Sequence, residues 1–193
     1  MEISISPLFV LMIVVLFVLI VRGTKSVNQA FFRIVFLVLL LLTHELAHSL
    51  AGRHFGVETV KLGLTFWGAY VLLEPDPLTV SIWSEIVVDL AGPLANLALA
   101  GVLTIIPVRS GSWKFARGLA FLLGILNLAP VKFLDGGHAL YAILLGLHVD
   151  SERAGWIVSI ATFVTIFLYF LLPRSKRKEE KGSPNQTTGP DST

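Results

Sequence analysis

Long apolar stretches constrain this 193-residue chain more than any other feature. A helix needs about 20 apolar residues to cross the hydrocarbon core of a bilayer, where the backbone must satisfy its own hydrogen bonds. Four such helices are predicted, over residues 3–21, 31–51, 86–108 and 155–172. The first is expected to be a retained membrane helix, because it lacks the basic start and the small-residue cleavage site of a secretory signal.

A fifth apolar stretch, residues 116–134, is interrupted near its end. Asn127 and Pro130 lie there and Asp135-Gly136-Gly137 follows, so the helix should break. Residues 139–147 are too short to span a bilayer alone, and either continue the fifth helix past the break or lie at the interface. The predicted fold class is an all-α membrane protein, a polytopic helical bundle of about five transmembrane helices. Such a chain is an integral, multi-pass protein of the cell membrane.

Two segments differ from the rest. Residues 57–70 mix β-branched, aromatic and glycine residues without a helical period, which predicts one or two short strands at the membrane surface or dipping into it. Residues 173–193 are charged and then polar, which predicts a disordered basic and polar tail after an integral domain over residues 1–172. The net charge of +2 and the clustering of cations in loops and tail indicate no nucleic-acid surface.

The strongest chemical signal is His44-Glu45-Leu46-Ala47-His48, at the end of the second predicted helix. Residues four apart share one helix face, so both imidazoles can reach one cation while Glu45 lies beside them as a general base. The chain has no cysteine, so a metal here must use His, Asp or Glu. The alternative is a set of polar residues that cap a helix. That alternative leaves unexplained three ionisable groups after an apolar run, each costing about 2.5 kcal/mol or more at membrane depth.

A zinc site of this kind requires a third protein ligand, and two carboxylates are candidates. Asp135 stands at the predicted helix break, ahead of two glycines that allow the backbone to approach a ligand closely. Asp89 lies closer to the point where the chain enters the membrane and reads as an interfacial acid. Asp135 is therefore the preferred third ligand.

Three motifs resemble the signature set of the site-2 protease family of intramembrane zinc metalloproteases. They are HELAH at residues 44–48, AGPLAN at 91–96, and NLAP at 127–130 followed by LDGGH at 134–138. The resemblance implies that His44, His48 and Asp135 bind Zn²⁺ and that Glu45 is the catalytic base. It also implies that Asn96 and Asn127 line the substrate path or assist the reacting carbonyl. For both asparagines, hydrogen bonding between helices is an equally open role.

The same resemblance implies a substrate and a way to hold it. The substrate would be a transmembrane protein, cut in or near its membrane segment, and a short membrane-associated β hairpin would lie between the second and third core helices, at residues 60–73. An exposed strand edge can hold an extended peptide by backbone hydrogen bonds. We expect residues 63–70 to supply that edge, with Gly68 as a substrate-binding position.

Two other functions remain open from the residues alone, a metal carrier and a protein that binds membrane partners without cutting them. A carrier usually shows internal repeats, and none is found here. An intact Glu45 disfavours the non-cleaving binder. Orientation is undecided: four cations lie on the predicted catalytic side and eleven on the other, which points the site outward, whereas the family resemblance favours a site open to the cytoplasm.

Overall fold

The computed structural model describes residues 2–108 and 110–171. Within this part, the elements in chain order are β1 (Glu2–Ile5), α1 (Pro7–Thr24), α2 (Val27–His54), β2 (Glu58–Thr65), β3 (Gly68–Glu74), α3 (Pro77–Val80), α4 (Ile82–Ile105), α5 (Gly111–Asn127), α6 (Asp135–Gly146) and α7 (Ser151–Leu171). The predicted tail, residues 173–193, lies outside the described residues. The boundary between the two predicted segments therefore stays a prediction.

Four helices in the described part are long and apolar enough to cross a membrane: α1, α2, α4 and α7. They correspond to the four long stretches of the sequence. The predicted class, a multi-pass helical membrane protein, is confirmed.

The fifth predicted helix is broken into α5 with 17 residues and α6 with 12, and both are shorter than the typical span of about 20 residues. α5 ends at Asn127, seven residues before the predicted end, and α6 begins at Asp135. Gly124 near the end of α5 packs against Leu97 in the middle of α4, whereas Gly146 at the end of α6 packs against Ile82 at the start of α4. The two short helices therefore follow α4 end to end in the opposite direction, as one interrupted segment. This is the continuation past the break that the sequence predicts.

Small and polar residues fill the interior of the bundle. On α4 the buried residues include Gly92, Pro93 and Asn96. Leu40 of α2 packs with Ala100 of α4 and Ala120 of α5. Because lipid is as apolar as leucine, membrane helices associate through close packing, which small side chains permit. The close contact among α2, α4 and α5 positions the site described below.

The strands form a three-stranded sheet rather than the predicted two-stranded hairpin. β2 and β3 are antiparallel and correspond to the hairpin, while β1 adds to β2 in parallel. The prediction of a helix from residue 3 was wrong for its first turn. Ser6 caps α1 through its side chain and Pro7 occupies the first turn, so the helix begins at Pro7 and the alternating residues before it are free to pair as a strand.

The sheet order also changes which edge is free. β2 is the central strand, and its residues 61–64 are paired with β1 on one side and β3 on the other. The predicted edge at residues 63–70 was therefore wrong for residues 63 and 64. The free edge beside the bundle belongs to β3, which packs against α2 and includes Gly68 and Tyr70.

Candidate metal centre

Two imidazoles and one carboxylate meet inside the bundle. His44 and His48 lie on one face of α2, each 6% exposed, and Asp135 is the first residue of α6. His44 Nε2 lies 3.0 Å from Asp135 Oδ2 and 3.1 Å from His48 Nε2. His48 Nε2 lies 3.6 Å from the same carboxylate oxygen. The three side chains present their donor atoms to one common point.

The close packing of α4 on α2 holds the imidazoles. Gly92 faces them, and a Cβ at this position would lie 2.7 Å from His44 Nε2 and closer still to His48. Such distances are shorter than any ordinary contact, so only glycine fits against these rings. Gly92 of the AGPLAN segment thus leaves room for the two imidazoles because it has no side chain.

Two further glycines place Asp135. A Cβ at Gly136 would overlap the backbone carbonyl of Leu128, and one at Gly137 would overlap that of Val131. The loop between α5 and α6 therefore packs directly on the first turn of α6. This contact turns Asp135 toward α2 although it is distant in sequence from both histidines.

The outer nitrogen of each imidazole is also held. His48 Nδ1–H donates to the Val88 carbonyl at 2.6 Å, which leaves Nε2 with its lone pair. His44 Nδ1 lies 3.1 Å from Asn96 Nδ2, and the Oδ1 atom of the same amide has no partner in the described part of the chain. If Asn96 presents Oδ1, it accepts from His44 Nδ1–H and frees His44 Nε2 in the same way. Both rings can then offer neutral nitrogen to a metal.

The donor set fits a tetrahedral zinc ion. His nitrogen and carboxylate oxygen bind zinc at about 2.0–2.1 Å, so neighbouring ligands of a tetrahedral site are about 3.3 Å apart. The distances of 3.0, 3.1 and 3.6 Å bracket that value. His44, His48 and Asp135 also form the group of metal-ligand type found in the described residues, with donor atoms within 4.8 Å of one another. Three protein ligands leave the fourth position open.

Glu45 lies beside this group and is itself buried, with 6% of its surface exposed. Val71 on β3 lines the same cavity as Glu45. Glu45, His48 and Asp135 line a cavity of about 280 Å³, with β3 on one side and Val88, Asp89 and Phe133 on the other. The cavity is the space in which a molecule could meet both the metal ligands and the acid.

The three predicted substrate-binding residues, Asn96, Asn127 and Gly68, do not line this cavity. Asn96 is 1% exposed and contacts His44 rather than the cavity. Asn127 is half-buried at the end of α5 and makes no side-chain hydrogen bond within the described residues. Gly68 begins β3 with φ +132°, where its carbonyl accepts from Thr65 Oγ1 at 3.1 Å. Their substrate-binding roles stay predictions.

Sequence reasoning missed three contributors to the site. Gly92 acts through an absent side chain, Val88 through its carbonyl and Val71 by lining the cavity, so their residue types carry no chemical signal. Asp89 was set aside as an interfacial acid, yet it is only 8% exposed and lines the cavity. Its carboxylate is outside the group of potential metal ligands, which agrees with the choice of Asp135.

Comparison with known proteins supports one family. Residues 32–111 match the model of Peptidase family M50. The chain is 37% identical over 132 residues to the Mycobacterium tuberculosis protein Rip3, named as a zinc metalloprotease, and the match covers 63% of this chain and 33% of Rip3. It is 28% identical over 155 residues to a zinc metalloprotease of Methanocaldococcus jannaschii, covering 75% of this chain and 43% of that protein. The chain thus spans well under half the length of these relatives.

The fold has a counterpart among solved structures. The site-2 protease from Methanocaldococcus jannaschii superposes with a TM-score of 0.60, covering 88% of this chain and 89% of that one, at 24% identity. At this identity the likeness establishes the architecture. The overall fold of this chain therefore has a counterpart in a solved structure.

Proposed function

We infer the activity of this chain from the family whose model it matches, Peptidase family M50, and from its similarity to zinc metalloproteases. The proposed function is that of a zinc metalloendopeptidase which hydrolyses peptide bonds in or near transmembrane segments of other membrane proteins. One observation carries this proposal: two imidazoles, a carboxylate and a separate buried acid converge inside an apolar helical bundle.

In this proposal His44, His48 and Asp135 hold the zinc ion. A zinc ion held there would lower the pKa of a coordinated water to about 7 and so supply a nucleophile at neutral pH. Val88 and Asn96 orient the two imidazoles through their outer nitrogens. Asn96 thereby has a positioning role, in addition to the predicted contact with substrate.

Glu45 is the proposed general base. It faces the same cavity as His48 and Asp135, so its carboxylate can take a proton from the attacking water and deliver it to the leaving amine.

The free edge of β3 is the proposed holding site for an unwound substrate. Ala69, Tyr70, Val71 and Leu73 of β3 line the cavity that Glu45 also lines. The outer edge of a strand presents unpaired backbone N–H and C=O groups, which an extended peptide can pair with. An extended peptide paired with this edge would pass in front of Glu45, and Gly68 would shape the turn that starts the edge. The proposed location is the cell membrane.

The proposal is tested with purified protein in proteoliposomes that contain a labelled transmembrane substrate. Wild type should cleave the substrate, and a zinc chelator should stop cleavage. Glu45→Gln should retain one zinc ion by elemental analysis while its cleavage falls by about a thousandfold or more. Near-normal cleavage by Glu45→Gln would refute the assigned base. Zinc movement across sealed vesicles without any cleavage would instead support a metal carrier.

A further inference from the structure

Asp89 is the buried polar side chain at the site that neither metal binding nor general-base catalysis uses. It lies on α4 and is 8% exposed, and its Oδ2 atom has no hydrogen-bond partner in the described part of the chain. It lines the same cavity as Glu45, His48 and Asp135. Burial of an unpartnered carboxylate is costly, so its presence in the cavity indicates a partner that arrives with a ligand.

A second acid continues this feature outward. Glu85 precedes Asp89 by four residues, so the two carboxylates lie on one face of α4. Glu85 lines a neighbouring cavity of about 380 Å³. His138 lines both cavities, so the two spaces adjoin at α6. Asp89 thus lines the cavity beside the metal ligands, and Glu85 lines the cavity next to it.

The acids have no cation of their own. None of the four ion pairs among the described residues contains Glu85 or Asp89. Lys132 lines the outer cavity but is exposed and lies beyond ion-pair distance of both acids. A long cationic side chain entering from outside would supply the missing charge, and its aliphatic stem would match the apolar walls formed by Val88 and Phe133.

We propose that Asp89, with Glu85 behind it, binds a lysine or arginine side chain of the substrate next to the scissile bond. The proposal rests on the protease function and names its substrate class, transmembrane segments with a basic residue at the cut. Lysine and arginine are concentrated at one end of transmembrane segments. Recognition of such a residue would direct cleavage to the end of the substrate helix, where fewer turns must unwind.

The test uses one transmembrane substrate with lysine placed in turn at each position around the cut, and with the uncharged glutamine at the same position as the matched control. Wild type in proteoliposomes should cleave one lysine substrate with kcat/KM at least about tenfold above its glutamine counterpart. In Asp89→Asn this ratio should fall to about one. Asp89→Glu, which retains the charge, should keep a preference for lysine.

Three results would overturn the proposal. They are an equal rate for lysine and glutamine at every position in wild type, an unchanged ratio in Asp89→Asn, and an equal loss on both substrates in Asp89→Asn, which would assign Asp89 to structure. A binding measurement separates this site from the protease function. If the Glu45→Gln variant bound the lysine peptide more tightly than the glutamine peptide while wild type cut neither, the cation site would stand and the protease would not.

Discussion

α4 and α1 are both long apolar helices, yet they occupy opposite environments. Of the most apolar stretch of α4, 39% is buried inside the protein, against 6% for α1. Most buried residues of α4 are small or polar, as Gly92, Asp89 and Asn96 are, whereas large residues such as Leu11 and Leu19 of α1 are more than half exposed. In a bilayer the large apolar side chains face lipid, so small and polar residues within an apolar run mark the helix that builds the site.

The largest effect should come from removing the Asp135 carboxylate, which lies inside the bundle against His44 and His48. Asp135→Ala removes a ligand, and because loss of an outer hydrogen bond to a ligand costs about 10- to 100-fold in affinity or activity, loss of the ligand itself should exceed 100-fold. Zinc content and cleavage rate check this. Asp150→Ala, which removes a carboxylate paired with the exposed Arg153, is the control and should leave both near wild type. Full zinc occupancy in Asp135→Ala would refute the ligand assignment.

The two glycines of α4 that face different surroundings provide the sharpest contrast within one helix. Gly92→Ala places a methyl group against both imidazoles and should lower zinc affinity by about 10- to 100-fold. Gly101→Ala meets no atom within 4 Å and should change zinc affinity and cleavage little. Zinc titration of both variants measures the difference. Equal behaviour would mean that α4 does not confine the histidines.

The two asparagines of the sequence motifs should differ in their effect on zinc binding. Asn96→Ala removes the amide that contacts His44 Nδ1 and should weaken zinc binding by about tenfold or more. Asn127→Ala should leave zinc binding unchanged, since its side chain has no partner among the described residues. A loss of cleavage without a loss of zinc in Asn127→Ala would assign that residue to the substrate path. Equal zinc affinity in Asn96→Ala and wild type would contradict the positioning role of Asn96.

The hairpin should affect substrate without affecting metal. Gly68 has φ +132°, and proline is restricted to about −65°, so Gly68→Pro should distort the start of β3. We expect cleavage of a full transmembrane substrate to fall by about tenfold with zinc content unchanged, because the metal ligands lie on α2 and α6. Trp67→Ala, at the exposed turn before β3, is the control. Equal loss of zinc and cleavage in Gly68→Pro would indicate misfolding.

The smallest effect on activity should come from neighbouring leucines of α2. Leu40 is 2% exposed and Leu39 is 52% exposed. Leu40→Ala should lower the free energy of unfolding by about 2 kcal/mol or more through the cavity it leaves among α4 and α5, and Leu39→Ala by clearly less. Unfolding in mild detergent compares the two variants. Equal destabilisation would mean that lipid-facing and interior positions are not distinguished by packing.

Much of this arrangement follows from local patterns. The four long helices, the break before Asp135 and the strand character of residues 57–70 each depend on residues that are neighbours in sequence. The first turn of α1 was assigned wrongly because an apolar run of this length hides the capping signal of Ser6 and Pro7. The third strand was missed because pairing of β1 with β2 joins segments more than fifty residues apart.

The amino-acid sequence by itself determined that this chain is a membrane protein with two imidazoles and an acid on one helix face, because hydropathy and a spacing of four residues are local properties. Only the tertiary structure decided that Asp135 completes the group, that Gly92 confines it, and that Asp89 faces the same cavity without a partner. These relations join α2, α4 and α6, whose packing depends on contacts between residues far apart in the chain.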